Sequence, residues 1–134
     1  MITDYKLYTD GGSRGNPGPG AIGIVLFKGE EIIKQKGKLI GETTNNQAEY
    51  QALIFGLNEA KKEKVKELKC FLDSELVVKQ LRSEYRVKDE KLKPLFAEVL
   101  RLTNSFKKVS FHHVTRDKNK EADEIVNRYL DANL

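Results

Sequence analysis

The chain has 134 residues, a length that suits one domain with a single hydrophobic core, and we expect one domain over residues 1–134. Lys and Arg number 24 against 20 Asp and Glu, and the resulting net charge of +4 suits a polyanion partner without requiring one. A single cysteine excludes an internal disulfide, and no apolar run approaches the roughly 18 residues that span a bilayer. We therefore expect a soluble, cytoplasmic protein with no membrane partner, and a monomer by default.

The periodicity of apolar residues predicts an alternation of strands and helices along the chain. The first strand ends at Asp10, and its alternation places Leu7 on one face and Tyr8 on the other. Residues 11–20 are rich in glycine and proline, which predicts a loop that a ligand backbone can approach closely. The predicted elements are, in chain order, strands over 4–9, 21–27 and 31–39, a helix over 46–62, a strand over 68–72, helices over 74–81 and 92–102, a strand over 108–114, and a terminal helix that follows a polar loop over 116–120.

This order predicts an α/β fold with a five-stranded mixed sheet and helices on both faces. The first three strands form an antiparallel meander, and the last two run parallel because helices connect them. If the helix over 46–62 is a crossover, the strand that ends at Asp73 lies parallel to the strand that ends at Asp10. Both carboxylates then emerge at the same edge of the sheet, where α/β folds bind ligands.

Four carboxylates are candidates for chemistry, and each also has a purely structural explanation. Asp10 suits a turn before glycines, and Asp73 suits the N-cap of the next helix. Glu49 stands three residues after Asn46, which is close to a capping box, and Asp123 lies where it would complement a helix dipole. Any one of them alone is explained by local structure.

The four acids taken together predict a cation-binding site, which no single one of them predicts. Carboxylates that converge in a small volume repel one another unless cations neutralise them, and hard oxygen ligands favour Mg²⁺ or Mn²⁺. Zinc is disfavoured because Cys70 is isolated, and because His112 and His113 are neighbours on a strand and point to opposite faces. Two magnesium ions would polarise a phosphodiester and generate a hydroxide nucleophile. The residues therefore predict metal-dependent hydrolysis of a phosphodiester.

Four segments of the chain resemble the active-site blocks of type 1 ribonuclease H, and they occur in the same order. They are residues 8–20 (YTDGGSRGNPGPG), 43–50 (TTNNQAEY), 72–76 (LDSEL) and 119–123 (NKEAD), and the first two are the more specific. The resemblance implies the ribonuclease H fold and a Mg²⁺-dependent endonuclease. Such an enzyme cuts the RNA strand of RNA/DNA hybrids and leaves a 3′-hydroxyl and a 5′-phosphate.

The resemblance also implies a role for individual residues of this chain. Asp10 is similar to the aspartate that bridges both metal ions, while Glu49 and Asp73 would hold one ion and Asp123 the other. Substrate-binding roles are implied for four further residues, three at the minor groove of the hybrid and one at a DNA phosphate: Asn16, Asn45 and Asn46, and Thr44. Short amides can read 2′-hydroxyls in a shallow A-like groove. Helix capping remains an alternative or additional role for Asn45 and Asn46.

The chain departs from the family pattern in ways that leave the substrate open. The loop before Asp123 lacks the histidine that many members carry, and we expect Arg116 to act near the phosphate instead. Residues 82–93 are too short and too mixed in charge for the basic, tryptophan-bearing protrusion of some members, so grip on the hybrid would be weaker or come from elsewhere, for instance from Lys79, Arg82 and Arg86. This compact form resembles archaeal and some bacterial members. The alternatives are a nuclease of the same fold for double-stranded RNA or another nucleic acid, and a hybrid-binding module without turnover.

Overall fold

A computed structural model describes residues 4–133 and contains one mixed sheet of five strands in the order β3-β2-β1-β4-β5. The strands are β1 Tyr5–Ser13, β2 Gly18–Lys28, β3 Glu31–Thr43, β4 Glu67–Leu72 and β5 Lys108–His113. β1, β2 and β3 form an antiparallel meander, while β4 runs parallel to both β1 and β5. The predicted mixed sheet is confirmed, with the parallel strands joined through helices.

Four α-helices and one 3₁₀ turn complete the fold. They are α1 Asn45–Lys62, α2 Glu75–Leu81, α3 Lys93–Thr103 and α4 Lys120–Ala132, with the 3₁₀ turn at Arg116–Asn119. Within the described part of the chain, no helix is both long and apolar enough to cross a membrane.

The two faces of the sheet carry cores of different size. Leu7 and the apolar residues of β2 and β4 on the same face pack against α1, α2 and α3 in the main core. On the opposite face, Ala21 and Val25 pack against Ala122, Ile125 and other apolar residues of α4. This confirms the predicted helices on both faces, and it places α4 alone on the face that carries Tyr8 and Asp10.

The strands extend further than their composition predicts. β1 continues past Asp10 to Ser13, where it pairs with Gly20, so the prediction that the strand ends at Asp10 is wrong. The predicted loop over 11–20 shrinks to residues 14–17, and β3 continues to Thr43. Composition misleads here because Gly11 of β1 makes room for a helix rather than for a turn.

The structural explanations offered for Glu49 and Asp73 are also wrong. The N-cap of α1 is Thr44, whose side chain accepts a hydrogen bond from the Gln47 backbone, and Gln47 completes the capping box. Ser74 rather than Asp73 caps α2. Asp123 does lie in the first turn of α4, where its charge complements the helix dipole. The carboxylates of Glu49 and Asp73 are therefore not needed for capping.

Two glycines allow helices to approach the sheet from opposite sides. A Cβ atom at Gly11 would lie 2.2 Å from the carbonyl oxygen of Ala48, and one at Gly23 would lie 2.7 Å from the carbonyl oxygen of Ala122. Real Cβ atoms do not come so close to a backbone atom, so only glycine permits either contact. Gly11 thus sets the position of α1 beside β1, and Gly23 sets that of α4 on β2.

A buried ion cluster ties α1 to the edge strand β3. Glu59 is only 2% exposed, and its carboxylate lies 2.8 Å from Lys36 Nζ, 3.3 Å from Lys34 Nζ and 2.7 Å from Lys62 Nζ. Burial alone would raise the pKa of Glu59, but the three ammonium groups outweigh it and lower the pKa to about 2.

Replacing Gly11 with Ala is expected to destabilise the protein by about 3 kcal/mol, because the new Cβ must displace the backbone of α1. Gly12→Ala is the matched control, since its nearest neighbour would be a Val126 methyl at 3.7 Å, an ordinary contact. Urea unfolding of the two variants measures the difference. Equal stabilities would show that α1 does not depend on the close approach at Gly11.

Replacing Glu59 with Gln is expected to cost about 1 to 2 kcal/mol at pH 7, after discounting for the solvent exposure of the lysines. The folded-state pKa lies below the ordinary value of 4.5, so the stabilisation is complete above pH 4.5 and is lost as the pH falls towards 2. The difference in unfolding free energy between wild type and Glu59→Gln should therefore shrink from pH 4.5 to pH 3. Glu63→Gln, which removes one exposed pair with Lys34, is the control. A difference that does not vary with pH would contradict the assignment.

Candidate active site

The central strand β1 carries Asp10 to the point where the sheet opens. β1 pairs with β4 only from Tyr5 to Tyr8, whereas its pairing with β2 continues through Asp10 to Ser13. Beyond Tyr8 the edge of β1 that faced β4 is therefore free for other groups. The Asp10 side chain is 6% exposed at this opening.

Glu49 reaches the same point from the other face of the sheet. It lies in the second turn of α1, is 6% exposed, and accepts a hydrogen bond of 3.0 Å from the Gly11 backbone N–H to Oε1. The close approach of α1 at Gly11 makes this bond possible. Oε2 of Glu49 is buried without a hydrogen-bond partner among the described residues.

Asp73 completes a group of three carboxylates. It follows β4 directly, and its Oδ2 is likewise buried without a partner among residues 4–133. One carboxylate oxygen from each of Asp10, Glu49 and Asp73 lies within 4.8 Å of the others. The predicted convergence at one edge of the sheet is confirmed for these three residues.

Asp123 stands slightly apart from this group. It lies outside the set of oxygens within 4.8 Å, but it lines the same cleft of about 430 Å³. Its Oδ2 accepts a hydrogen bond of 3.3 Å from Asn127 Nδ2 within α4. The structure thus places three acids close together and the fourth beside them in the same cleft.

The carboxylates disturb one another electrostatically. Burial, followed by the charges of Glu49 and Asp73, raises the pKa of Asp10 well above its ordinary range. Burial also raises the pKa of Glu49, although interactions with Asp10 and the Gly11 N–H oppose the change. These shifts mean that the cluster resists carrying its full negative charge unless cations are supplied.

Neighbouring groups shift the pKa of Asp73 in opposite directions. Burial raises its pKa and the charge of Asp123 adds to the rise, while Asn119, Arg116 and His113 oppose it. Arg116 is exposed on the 3₁₀ turn and lines the cleft, and its charge also lowers the pKa of Glu49. The two arginines that line the cleft do not balance four carboxylates, because the other one, Arg14, pairs with Asp131 at 2.6 Å.

The donor set of the cluster fits a hard divalent cation. All the candidate ligands are carboxylate oxygens, and two of them, Glu49 Oε2 and Asp73 Oδ2, are buried without a partner among the described residues. A buried carboxylate oxygen without a hydrogen-bond donor is costly unless an ion binds it. Mg²⁺ and Mn²⁺ take such oxygen ligands, whereas the nearby Cys70 is buried in the main core and gives no site for a softer metal.

The predicted substrate residues lie at the start of α1 and in the adjoining loop. Asn45 N–H donates to Asn16 Oδ1 at 3.0 Å, and Asn45 Oδ1 accepts from the Ser13 N–H at 3.0 Å. Asn45, Asn46 and Arg116 line the cleft, whereas Asn16 and Thr44 are not among its lining residues and order the loop and the helix start. Helix capping belongs to Thr44, so the capping alternative for Asn45 and Asn46 is wrong.

Asn119 is a site neighbour to which the sequence analysis assigns no role. Its side chain is fully buried, and its Nδ2 donates a hydrogen bond of 2.9 Å to the Thr9 carbonyl, directly before Asp10. Asn119 therefore fixes the 3₁₀ turn and the start of α4 to β1. An asparagine in a polar loop resembles an ordinary turn residue, and the only signal in the sequence is that Asn119 opens the block over 119–123.

His113 is a second such neighbour. Its place in the alternating segment predicts a strand residue, and the structure confirms that it ends β5. At that position it opposes the rise in the pKa of Asp73 and adds to the lowering of the pKa of Glu75, which Lys79 chiefly causes. A histidine is thus present near the carboxylates although the loop histidine is missing.

Comparison with known proteins places these residues in a family. Residues 8–129 match the family model described as reverse transcriptase-like. Ribonuclease HI of Halobacterium salinarum is 42% identical over 125 residues, which cover 92% of this chain and 63% of that protein. Ribonuclease H of Marinobacter nauticus is 35% identical over an alignment of 143 residues, which covers 96% of this chain and 95% of that protein. The chain spans only 35% of the length of three mycobacterial relatives that it matches at 38% identity.

Solved structures agree with the sequence relatives. The crystal structure of ribonuclease H1 from Halobacterium salinarum superposes with a TM-score of 0.93 at 40% identity and covers 96% of this chain and 98% of that one. LC11 ribonuclease H1, isolated from compost and solved in complex with an RNA/DNA hybrid, has a TM-score of 0.92 at 39% identity with the same coverage. With a family model across most of its length and a relative of matching length, this chain belongs to the ribonuclease H family.

Proposed function

We propose that this chain is an endonuclease that hydrolyses the RNA strand of RNA/DNA hybrids by two-metal-ion catalysis. The observation that carries the proposal is the cluster of Asp10, Glu49 and Asp73, whose oxygens lie within 4.8 Å of one another at the floor of an open cleft. Family membership supports the reaction class, and the hybrid bound to LC11 ribonuclease H1 supports the substrate.

In this proposal Asp10 would be a ligand shared by two Mg²⁺ ions, Glu49 and Asp73 would hold one of them, and Asp123 would hold the other. When bound, the ions would supply Lewis-acid chemistry, neutralising charge on the phosphodiester, favouring hydroxide as the nucleophile and stabilising the departing oxygen. Mn²⁺ is an alternative because it takes the same oxygen ligands. The products are a 3′-hydroxyl and a 5′-phosphate.

The protein prepares this site by holding its acids in place before the substrate arrives. The Gly11 N–H fixes Oε1 of Glu49 and leaves Oε2 free for an ion. Asn119 fixes the start of α4 and hence the wall that carries Asp123. Side chains that need not move when charge develops stabilise the transition state most effectively.

Two asparagines have the hydrogen-bond polarity that a hybrid requires. The Oδ1 atoms of Asn16 and Asn45 accept backbone N–H groups, and no protein acceptor for either NH₂ group is found among residues 4–133. Both residues therefore present donors. In a minor groove the acceptors are base edges and 2′-hydroxyl oxygens, and the latter are present only in RNA. At the start of α1, Thr44 would contact a phosphate of the DNA strand, and Asn46 would contact the minor groove of the hybrid.

The test of the proposed function is cleavage of labelled RNA/DNA hybrid, duplex RNA and duplex DNA with Mg²⁺ at one salt concentration. Wild type is expected to cut the hybrid in its RNA strand, and Asp10→Asn to lower the rate by at least about two orders of magnitude, because it removes the bridging ligand. In the absence of divalent cations, the melting temperature of Asp10→Asn should be at least as high as that of the wild type, because the substitution removes repulsion among the carboxylates. Preference for duplex RNA, or hybrid binding without Mg²⁺ binding or cleavage, would overturn the proposal.

A second experiment tests Arg116, which we propose to contact the scissile phosphate. Arg116→Ala is expected to lower kcat about tenfold while the Mg²⁺ dependence changes little, because a charge-assisted hydrogen bond to the phosphate is lost. Lys118→Ala is the matched control, since Lys118 is an exposed cation of the same 3₁₀ turn that does not line the cleft. Steady-state kinetics at several Mg²⁺ concentrations separates the two effects. Equal kinetics for the two variants would show that Arg116 is an ordinary surface residue with no contact to the phosphate.

A further inference from the structure

A second arginine lines the cleft of the carboxylates. Arg14 follows β1 directly, four residues after Asp10 and two residues before Asn16, and it lines the same cleft as Asp10 and Asp123. Four residues of extended chain span roughly 13 Å. The backbone of Arg14 therefore lies along the cleft from that of Asp10, and the arginine has no part in the cation site proposed above.

The backbone of Arg14 is held firmly, whereas its side chain is open to solvent. The Arg14 N–H donates a hydrogen bond of 2.8 Å to the Pro19 carbonyl, and a Cβ atom at Gly18 would lie 2.3 Å from the Arg14 carbonyl oxygen. The Ser13 N–H just before it is bound to Asn45 Oδ1 at 3.0 Å. The Arg14 side chain is 44% exposed. A fixed backbone thus carries a guanidinium that can change its partner.

The partner of Arg14 in the free protein is Asp131. Arg14 Nη2 lies 2.6 Å from Asp131 Oδ1, and the Asp131 side chain is 63% exposed. In the described part of the chain, neither side chain forms another ion pair. Exposed pairs of this kind contribute little free energy, so another anion can take the place of the Asp131 carboxylate.

The position of Asp131 is not explained by the stability of its own helix. Asp131 lies in the last turn of α4, which contains no basic residue. The carbonyl groups at a helix C-terminus carry partial negative charge, so they favour a cation there and disfavour an acid. Asp131 therefore gains its favourable contact from Arg14 and not from α4.

We propose that Arg14 binds a phosphate of the RNA strand and that Asp131 occupies its guanidinium until the hybrid enters the cleft. This inference rests on the proposed function, which places the RNA strand on the carboxylates and hence in the cleft that Arg14 lines. A carboxylate and a phosphate both offer two oxygens to the paired N–H donors of a guanidinium. Asp131 is thus an internal competitor of the substrate, and its carboxylate returns to solvent when the phosphate binds.

A purely structural role for the pair makes a different prediction. If the pair only tied the loop over 14–17 to the end of α4, removing either partner would loosen the loop, and both changes would weaken binding of the hybrid. If Asp131 competes with the phosphate, removing Asp131 strengthens binding and removing Arg14 weakens it. The sign of the effect at Asp131 therefore separates the two roles.

The test measures binding of a labelled RNA/DNA hybrid by fluorescence anisotropy in EDTA at low salt, so that it depends on neither cleavage nor metal. Arg14→Ala is expected to weaken binding about fivefold, and Asp131→Asn to strengthen it about two- to fivefold. In the Arg14→Ala background, Asp131→Asn should have no effect beyond that of its control. The matched controls are Arg128→Ala and Glu124→Gln, which make the same charge changes at exposed positions of α4 outside the cleft.

Steady-state cleavage with Mg²⁺ gives a second measurement of the same contact. The effects of Arg14→Ala and Asp131→Asn should appear mainly in KM, in opposite directions, because the proposed contact is to a phosphate other than the scissile one. Arg14→Lys should retain part of the affinity, since lysine keeps the charge but lacks the paired donors. Thermal melting establishes that each variant is folded.

Three results would overturn the inference: weaker binding in both single variants, additive effects in the double variant, or effects no larger than those of the controls. The outcomes also separate this inference from the proposed function. A wild type that binds the hybrid without cutting it, with opposite effects of the two variants on affinity, would refute the endonuclease and leave the phosphate contact of Arg14 intact. A wild type that cuts the hybrid, with KM unaffected by either variant, would refute the role of Arg14 alone.

Discussion

The backbone of α1 lies against β1 at Gly11, and the geometry of the cleft depends on this contact. The carbonyl oxygen of Ala48 occupies the space that a Cβ atom of residue 11 would need. The next residue along α1 is Glu49, whose carboxylate accepts the Gly11 N–H. One close approach therefore packs the helix and also delivers an acid from the far side of the sheet. At Gly23, α4 makes the corresponding approach on the opposite face and brings Asp123 into the same cleft.

The buried acids of this chain fall into two kinds, and their surroundings distinguish them. Glu59 is nearly fully buried, but three lysines surround it and hold its pKa low, so it stabilises the fold by itself. Asp10 and Glu49 are buried nearly as deeply, yet their nearest charged neighbours are other carboxylates and their pKa values rise. An acid without a compensating base makes the apoprotein less stable and favours the binding of cations. The difference between compensated and uncompensated burial supports a metal site at Asp10 more directly than the presence of acids does.

On the face of the sheet that carries Asp10, the part that α4 covers differs in environment from the part that it does not cover. Where α4 covers it, apolar side chains of β2 form a small core, and where α4 does not reach, aromatic and basic residues take their place.

The sequence by itself determined the class of fold, because strand and helix periodicities are local, and it predicted the four acids and their chemistry, because their residue types can be read directly from the chain. The predicted end of β1 at Asp10 was wrong for residues 11–13, because composition does not distinguish a glycine that makes room for a helix from a glycine that makes a turn. The sequence also offered capping as the explanation for Glu49, where Thr44 and Gln47 serve instead. Only the tertiary structure decided that Asn119 fixes the start of α4 to Thr9, that Glu49 Oε2 and Asp73 Oδ2 are left without partners, and that Tyr8, Phe71 and His112 stack across three strands. These features join residues far apart in the chain, and strand register and helix approach, which set them, arise only when the whole sheet is assembled.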